Sequence, residues 1–415
     1  MHFEFLTGLG RKSGSICIGE SYSLGMGKFH LCIELNERFR HVAIFGSTGT
    51  GKSTLLANMM LQDTLDGMGY CFVDPKGDLA SYLIKALGKM NIRFCLIDPS
   101  NPNTEKFNIF DVHESRTFKD TLVSNLVEIM RQQTVFWGER FGRMFEAILR
   151  IILEYNERVP KSKQLTVVDL YKFLLKKERI EDFLRFVEND LLKEYVIEMF
   201  KIKGEEQSRE ALLRRLNDWI HNRLVRRVIA CKVSNFGFRT TVESGRIVVV
   251  RIPKGEIGKA AAQLIGTIVF TFLWSAIKER VCIEEHRRRP YFLYVDEFHN
   301  FAFEKSFFDE VLSESRGYRL GIVVATQYPS QLSRNVKESV YSNCSTFVTL
   351  NIQNPYDAKI LAEKYPEITA NEILSLSKYW AIVRTYINGK PKTYKVKLYP
   401  PFKLLTKLNT QDSLF

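Results

Sequence analysis

Apolar positions follow two periods along this chain. Residues 28–35 (KFHLCIEL) alternate in part, as a half-buried strand does. Residues 41–45 (HVAIF) form a short apolar run that stops at a glycine-rich loop. Residues 53–65 follow with helical spacing at Leu55, Leu56, Met59 and Met60. Apolar runs recur at 70–73 and 94–97. Strands alternating with helices predict an α/β fold with a mainly parallel sheet. From Asp111 to about Thr240 the strand signal almost vanishes. Phe141, Met144, Phe145, Ile148, Leu149 and Ile152 share one helical face. Thr166 precedes Asp169 at capping spacing. Strand-like runs return at 246–252, 291–295, 321–325 and 345–350. Residues 381–387 and 393–398 then flank Asn388-Gly389, the strongest short hairpin signal. The chain therefore divides into an α/β part over 1–110, an all-α insert over 111–240, the rest of the α/β part over 241–400, and a short tail over 401–415.

One run tests this division. Residues 260–277 (AAAQLIGTIVFTFLWSAI) carry no charge and reach the lower edge of a membrane-span length. They sit between two expected strands and contain Gln263, Gly266, Thr267 and Thr271, so a buried helix is expected. Hydrophobic residues make up 45% of the 415 and charged residues 26%, enough for a packed core, which excludes disordered, collagen-like and simple-repeat classes. Lys and Arg number 60 against 47 Asp and Glu, a net charge of +13. Such a surplus suits a polyanionic partner, nucleic acid or an anionic membrane surface, or serves solubility alone. Residues 201–240 hold ten Lys/Arg against four Asp/Glu, with Arg214, Arg215, Arg223, Arg226 and Arg227 prominent. Seven cysteines are scattered without a C-x-x-C pair, which predicts a reducing compartment and neither a disulfide framework nor a zinc site. Residues 1–5 show no basic and apolar pattern of a secretory leader.

The chemistry gathers at strand ends. Gly46-Ser47-Thr48-Gly49-Thr50-Gly51-Lys52-Ser53, followed by Thr54, fits the phosphate-loop pattern G-x-x-x-x-G-K-[ST] with a strand before it and a helix after it. Its glycines let successive N–H groups face phosphate oxygens, and the helix N-terminus adds its dipole. Lys52 would reach the outer phosphates of ATP and the Ser53 hydroxyl would ligate Mg²⁺. A second magnesium carboxylate is needed at a neighbouring strand end, and Asp296 supplies it after the apolar run 291–295. Adjacent Glu297 would polarise the attacking water. Gln327 ends a later strand and is the candidate sensor of the γ-phosphate. Asp74-Pro75-Lys76-Gly77-Asp78 either edges the site, with Lys76 touching phosphate or neighbouring groups, or is a plain tight turn. Arg316 is a candidate finger toward a neighbouring subunit's nucleotide, with Arg319 its rival. Arg287-Arg288-Arg289 is read as a solvated loop.

Together, GSTGTGKST, VDPKGDL, LYVDEFHNF and SESRGYRLGIVVATQYPSQL resemble the FtsK–HerA superfamily, and within it the nucleotide-binding domains of conjugative coupling proteins of type IV secretion systems. The resemblance runs from about Gly19 to Pro400. It implies a RecA-like P-loop ASCE ATPase core with an inserted all-α domain. It also implies ATP and Mg²⁺ as ligands, catalytic roles for Lys52, Glu297, Gln327 and Arg316, and a DNA translocase that forms a ring, usually a hexamer. Coupling proteins usually begin with a pair of membrane helices, whereas this phosphate loop starts at residue 46. The expectation is a cytoplasmic chain held at the membrane by partners such as a relaxase or secretion-system proteins. The other readings are a nucleotide-gated adaptor for a relaxase–DNA or protein substrate, and a HerA-like or packaging-type motor.

Overall fold

In the computed structural model, residues 12–23, 27–112, 119–132, 138–176, 182–199, 201, 205–301 and 307–401 are described. The expected tail at 402–415 lies outside them. The chain forms two compact units. The first holds residues up to Phe94 with Val242–Arg251 and the chain from Ile283 onward; the second holds Cys95–Thr241 and Ile252–Cys282.

The first unit is a mixed sheet. Its strands are β1 (Ile16–Ser23), β2 (Gly27–Ile33), β3 (Val42–Phe45), β4 (Gly69–Asp74), β6 (Ile247–Arg251), β7 (Tyr291–Val295), β8 (Leu320–Thr326), β9 (Thr346–Thr349), β10 (Trp380–Ile387) and β11 (Lys390–Leu398). A short strand β5 (Phe94–Ile97) lies where the chain leaves this unit. The strands run β2-β1-β11-β10-β9-β3-β8-β7-β4-β6. The centre is parallel, as the alternation of elements predicted: β3 lies between β8 and β9, and β7 between β8 and β4. Strands buried on both faces need continuous apolar sequence, and β3, β4, β7 and β8 are buried throughout. The flank of β1, β2, β10 and β11 is antiparallel. Asn388 and Gly389 both take positive φ (53° and 73°) and close the β10–β11 hairpin. Cys17 and Cys32 face each other in the β1–β2 register and are joined as a disulfide. This corrects the expectation from scattered cysteines, because register, not spacing, brought the pair together.

Helix α1 (Lys52–Leu65) follows the phosphate loop and α2 (Asp78–Lys89) follows β4. A fully buried polar knot ties α1 to the sheet. Arg38, in a single helical turn before β3, makes paired bonds to the Asp63 carboxylate of α1 at 2.7 and 2.6 Å. Tyr294 of β7 donates to the same carboxylate at 2.5 Å, and the guanidinium lies 3.5 Å from the centre of the Phe292 ring. His41 is a second knot: its Nδ1 accepts from the Ile322 N–H of β8 and its Nε2 lies 3.0 Å from the Leu312 carbonyl. Of the run Arg287–Arg289, Arg287 and Arg289 are exposed, as the solvated reading expected, while Arg288 donates to the Ile283 carbonyl and Arg289 to those of Ser244 and Gly67.

Most of the second unit's described residues lie in helices: α3 (Lys119–Gln132), α4 (Glu139–Arg158), α5 (Val167–Leu175), α6 (Asp190–Met199), α7 (Glu205–Ile220), α8 (Arg223–Ile229) and α9 (Lys259–Lys278). Thr166 and Asp169 form the capping box the spacing predicted. Buried Asn156 of α4 donates to the carbonyls of Phe110 and Leu165 and accepts from the Leu165 N–H, which anchors the loops around it. The apolar run is α9, and most of it is buried inside the protein, as expected.

Removing one member of a buried, hydrogen-bonded ion pair leaves the other uncompensated, at a cost of about 3–5 kcal/mol. Arg38→Met and Asp63→Asn should each show that loss in urea denaturation. Burial pushes the His41 imidazole down to about 4, with Arg316 adding to the lowering against the Leu312 carbonyl. An unfolded histidine binds a proton near pH 6.5, so this stability is complete above that pH and lost as pH falls toward 4. The stability advantage of wild type over His41→Asn should shrink by about 2 kcal/mol between pH 7 and pH 5.

Candidate functional site

Parallel register brings the expected residues together. Phe45 pairs with Thr326, and Val73 pairs with Val295. The residues that follow, Gly46, Asp74, Asp296 and Gln327, therefore line one edge of the sheet at the carboxyl ends of β3, β4, β7 and β8. Ligands of open α/β sheets bind at such an edge.

The loop 46–53 is pinned to that edge by its own backbone. Gly46 N–H donates to the carbonyls of Thr326 and Gln327, and Ser47 N–H to that of Asn351. The Thr50 hydroxyl closes the turn on the Ser47 carbonyl at 2.7 Å. Gly51 takes φ 122°, and a Cβ there would lie 2.8 Å from the Tyr379 ring. Only glycine lets the chain enter α1 so tightly, and α1 then presents its first N–H groups, which have no partner within the helix, to the same side. Lys52 Nζ donates to the carbonyls of Gly46 and Ser47. Burial lowers its pKa; Glu297 and Asp296 oppose that, and Lys76 adds to it. Ser53 is exposed at the start of α1.

The acidic pair is buried. Asp296 accepts from the Glu297 N–H at 2.9 Å. Burial pushes its carboxyl up to about 6, with Asp74 and Glu297 adding repulsion. Glu297 is 3% exposed and takes left-handed backbone angles (φ 45°, ψ 48°), rare for a residue with a side chain. The Asn300 amide holds the Glu297 carbonyl at 2.7 Å. Burial acts to raise the Glu297 carboxyl, but the Lys76 ammonium bonded to it, with Lys52 and His299, outweighs that and holds it below its ordinary value. Gln327 Nε2 lies 3.4 and 3.5 Å from the two Glu297 oxygens. His299 Nδ1 lies 3.5 Å from Glu297 and 3.3 Å from the Thr326 hydroxyl.

Asp74 accepts from the N–H groups of Lys76 and Ala80, which orders the turn into α2 and aims Lys76 at Glu297. His299 and Gln331, which accepts from the Thr326 hydroxyl and the Gln327 N–H, escaped sequence reasoning. Their only signal was position: His299 two residues after Glu297, Gln331 four after Gln327. Arg316 is exposed and precedes β8, so the length of that strand, roughly 20 Å, separates it from the site edge of its own chain. Arg319 lies at the same far end, over the Phe39 ring and donating to the His286 carbonyl.

The residues fit a nucleoside triphosphate with Mg²⁺. Glycines fill the places a side chain could not, a lysine faces the loop, and Ser53 and Asp296 offer hard oxygen ligands. Among the described residues no cluster of three or more His, Cys, Asp or Glu could hold a metal by itself. That suits Mg²⁺, which takes one or two protein oxygens and completes its shell from phosphate and water.

A family model described as the type IV secretion-system coupling protein DNA-binding domain matches residues 29–371, from β2 past the loop, the acidic pair and Gln327. The chain belongs to this coupling-protein family. No curated protein matches it by sequence. Among solved structures it is similar to the plasmid coupling protein TrwB in complex with the non-hydrolysable ATP analogue ADPNP, at TM-score 0.68 and 16% identity, over 96% of this chain and 92% of that one. It is similar to TrwB in complex with ADP and Mg²⁺ at TM-score 0.67 and 15% identity, over 96% and 92%. VirB4 of Thermoanaerobacter pseudethanolicus gives TM-score 0.67 and 14% identity, over 95% and 98%. These likenesses establish that the coupling-protein fold is shared.

Burying the Asp296 charge in this edge works against folding. A carboxyl raised to about 6 in the folded chain costs stability as pH rises from the unfolded value, and the cost is complete above pH 6. Asp296→Asn carries no such charge. It should gain about 2–3 kcal/mol over wild type at pH 8 in chelator without nucleotide, and little or nothing at pH 4, by urea denaturation.

Proposed function

We propose that this coupling-protein family member is an ATP-driven DNA motor that works as a ring. The observation that carries this reading is the meeting of Glu297, Lys52 and Gln327 at one strand edge beside the phosphate loop. Loop N–H groups and Lys52 would bind the phosphates of the substrate ATP. Ser53 and Asp296 would hold Mg²⁺, which when bound neutralises charge that builds on the phosphate oxygens. Glu297, fixed by its backbone, would orient and polarise the attacking water, and Gln327 would sense the terminal phosphate through its contact with Glu297. TrwB, bound in its structures to ADPNP and to ADP with Mg²⁺, supports these ligands.

Exposed Arg316, at the far end of β8 from its own chain's site, would instead reach another subunit's nucleotide, in the manner of a hexamer. Exposed Arg214, Arg223 and Arg226 of the second unit would grip DNA phosphates without reading sequence. Such a chain would work on the cytoplasmic side of a membrane, held there by relaxase or secretion-system partners.

Steady-state ATP hydrolysis by the purified chain should rise with duplex or single-stranded DNA. It should fall at least a hundredfold in Glu297→Gln while nucleotide binding persists. Tight ATP binding with no turnover under any DNA condition would replace the motor with a nucleotide-gated adaptor.

A further inference from the structure

Glu297 is the residue on which turnover would depend, yet three side chains already stand at its carboxylate. Lys76 forms the ion pair, and Gln327 and His299 stand within 3.5 Å. The side chain is 3% exposed, so solvent does not compete for those bonds. Lys76 differs from its partner: its side chain is 41% exposed and hangs from a turn that Asp74 holds rigid. It also lies close enough to Lys52 to oppose that residue's charge. One ammonium thus faces the buried carboxylate, the phosphate-loop lysine and the outside of the site at once. A carboxylate paired to an ammonium is a weaker base toward a water molecule, since the adjacent positive charge lowers its affinity for a proton. An incoming phosphate competes for that ammonium, and phosphate and carboxylate both make strong charge-assisted bonds to it.

We propose that Lys76 is a phosphate-released latch: it holds Glu297 in an unproductive ion pair until a phosphate anion draws its ammonium away. The inference rests on the motor reading for its consequence and on geometry for its existence. Lys76 is a positioning residue, acting through Glu297. The releasing phosphate belongs to the nucleotide or to the DNA backbone, and the two sources give different results.

Lysine acylation followed by mass spectrometry reads the pair without turnover. Lys76 should label several-fold more slowly in wild type than in Glu297→Gln, and equal rates would overturn the latch. Non-hydrolysable ATP analogue with Mg²⁺ alone, or DNA alone, should change Lys76 labelling in wild type. Whichever does so identifies the source, and no change with either or both together overturns release. Turnover gives the second readout. If DNA releases the latch, Lys76→Met should hydrolyse ATP several-fold faster than wild type without DNA and its stimulation by DNA should shrink toward one; if the nucleotide does, its rate at saturating ATP should match wild type and stimulation by DNA should persist; Lys76→Arg should keep the wild-type pattern in both. The Michaelis constant for ATP should rise in Lys76→Met if the triphosphate takes the ammonium, and stay unchanged if DNA does. A Lys76→Met variant slower than wild type both with and without DNA refutes the latch. If wild type hydrolyses nothing, the motor reading falls, and the labelling rates alone decide the latch.

Discussion

Helix α1 carries the phosphate loop at one end and a buried carboxylate at the other. Asp63, near its C-terminal end, is gripped by Arg38 and by Tyr294, and Tyr294 stands two residues before Asp296 on β7. One buried ion pair therefore fixes the loop helix against the acidic strand. Solvent reaches neither side chain. Its geometry is specific because both terminal guanidinium nitrogens and both carboxylate oxygens are used, and an unmatched charge at that depth would be costly. Registers of β3 against β8 and of β4 against β7 do the rest, placing four strand ends in one row.

The site is held under tension that the frame sustains. Asp296 stays buried although burial disfavours its charge, and Glu297 keeps left-handed backbone angles. Strain of this kind persists where surrounding structure over-determines it, and it gathers at functional positions. Here the surroundings are the Asn300 bond to the Glu297 carbonyl and the cations around the Glu297 carboxylate. A cation or a phosphate added to this edge changes the balance for all of these groups together, which couples the loop, the acidic pair and Gln327 in one electrostatic unit.

Much of this was readable from the chain alone. Apolar runs of four to six residues ending at Gly46, Asp74, Asp296 and Gln327 are local signals, because a strand buried on both faces must be apolar for its whole length. Helical spacing located α1 and α4, the Thr166–Asp169 spacing marked the start of α5, and Asn388-Gly389 marked a hairpin whose two positive φ values those residues tolerate best. The phosphate loop is legible for the same reason: its chemistry lies in consecutive residues.

Pairings between distant positions were decided by the tertiary structure. Lys76 meets Glu297 across 221 residues, Arg38 meets Asp63 across 25, and Cys17 meets Cys32 through the register of a hairpin. No local pattern encodes such partners, because each depends on which strands lie side by side and in what register. Arg316 shows the same limit from the other direction. Its residue type suited a finger, but only the direction of β8 decided that it stands at the far end of its own sheet. Side-chain chemistry and local periodicity are properties of neighbours in sequence; the protonation, pairing and reach of a side chain are properties of neighbours in space.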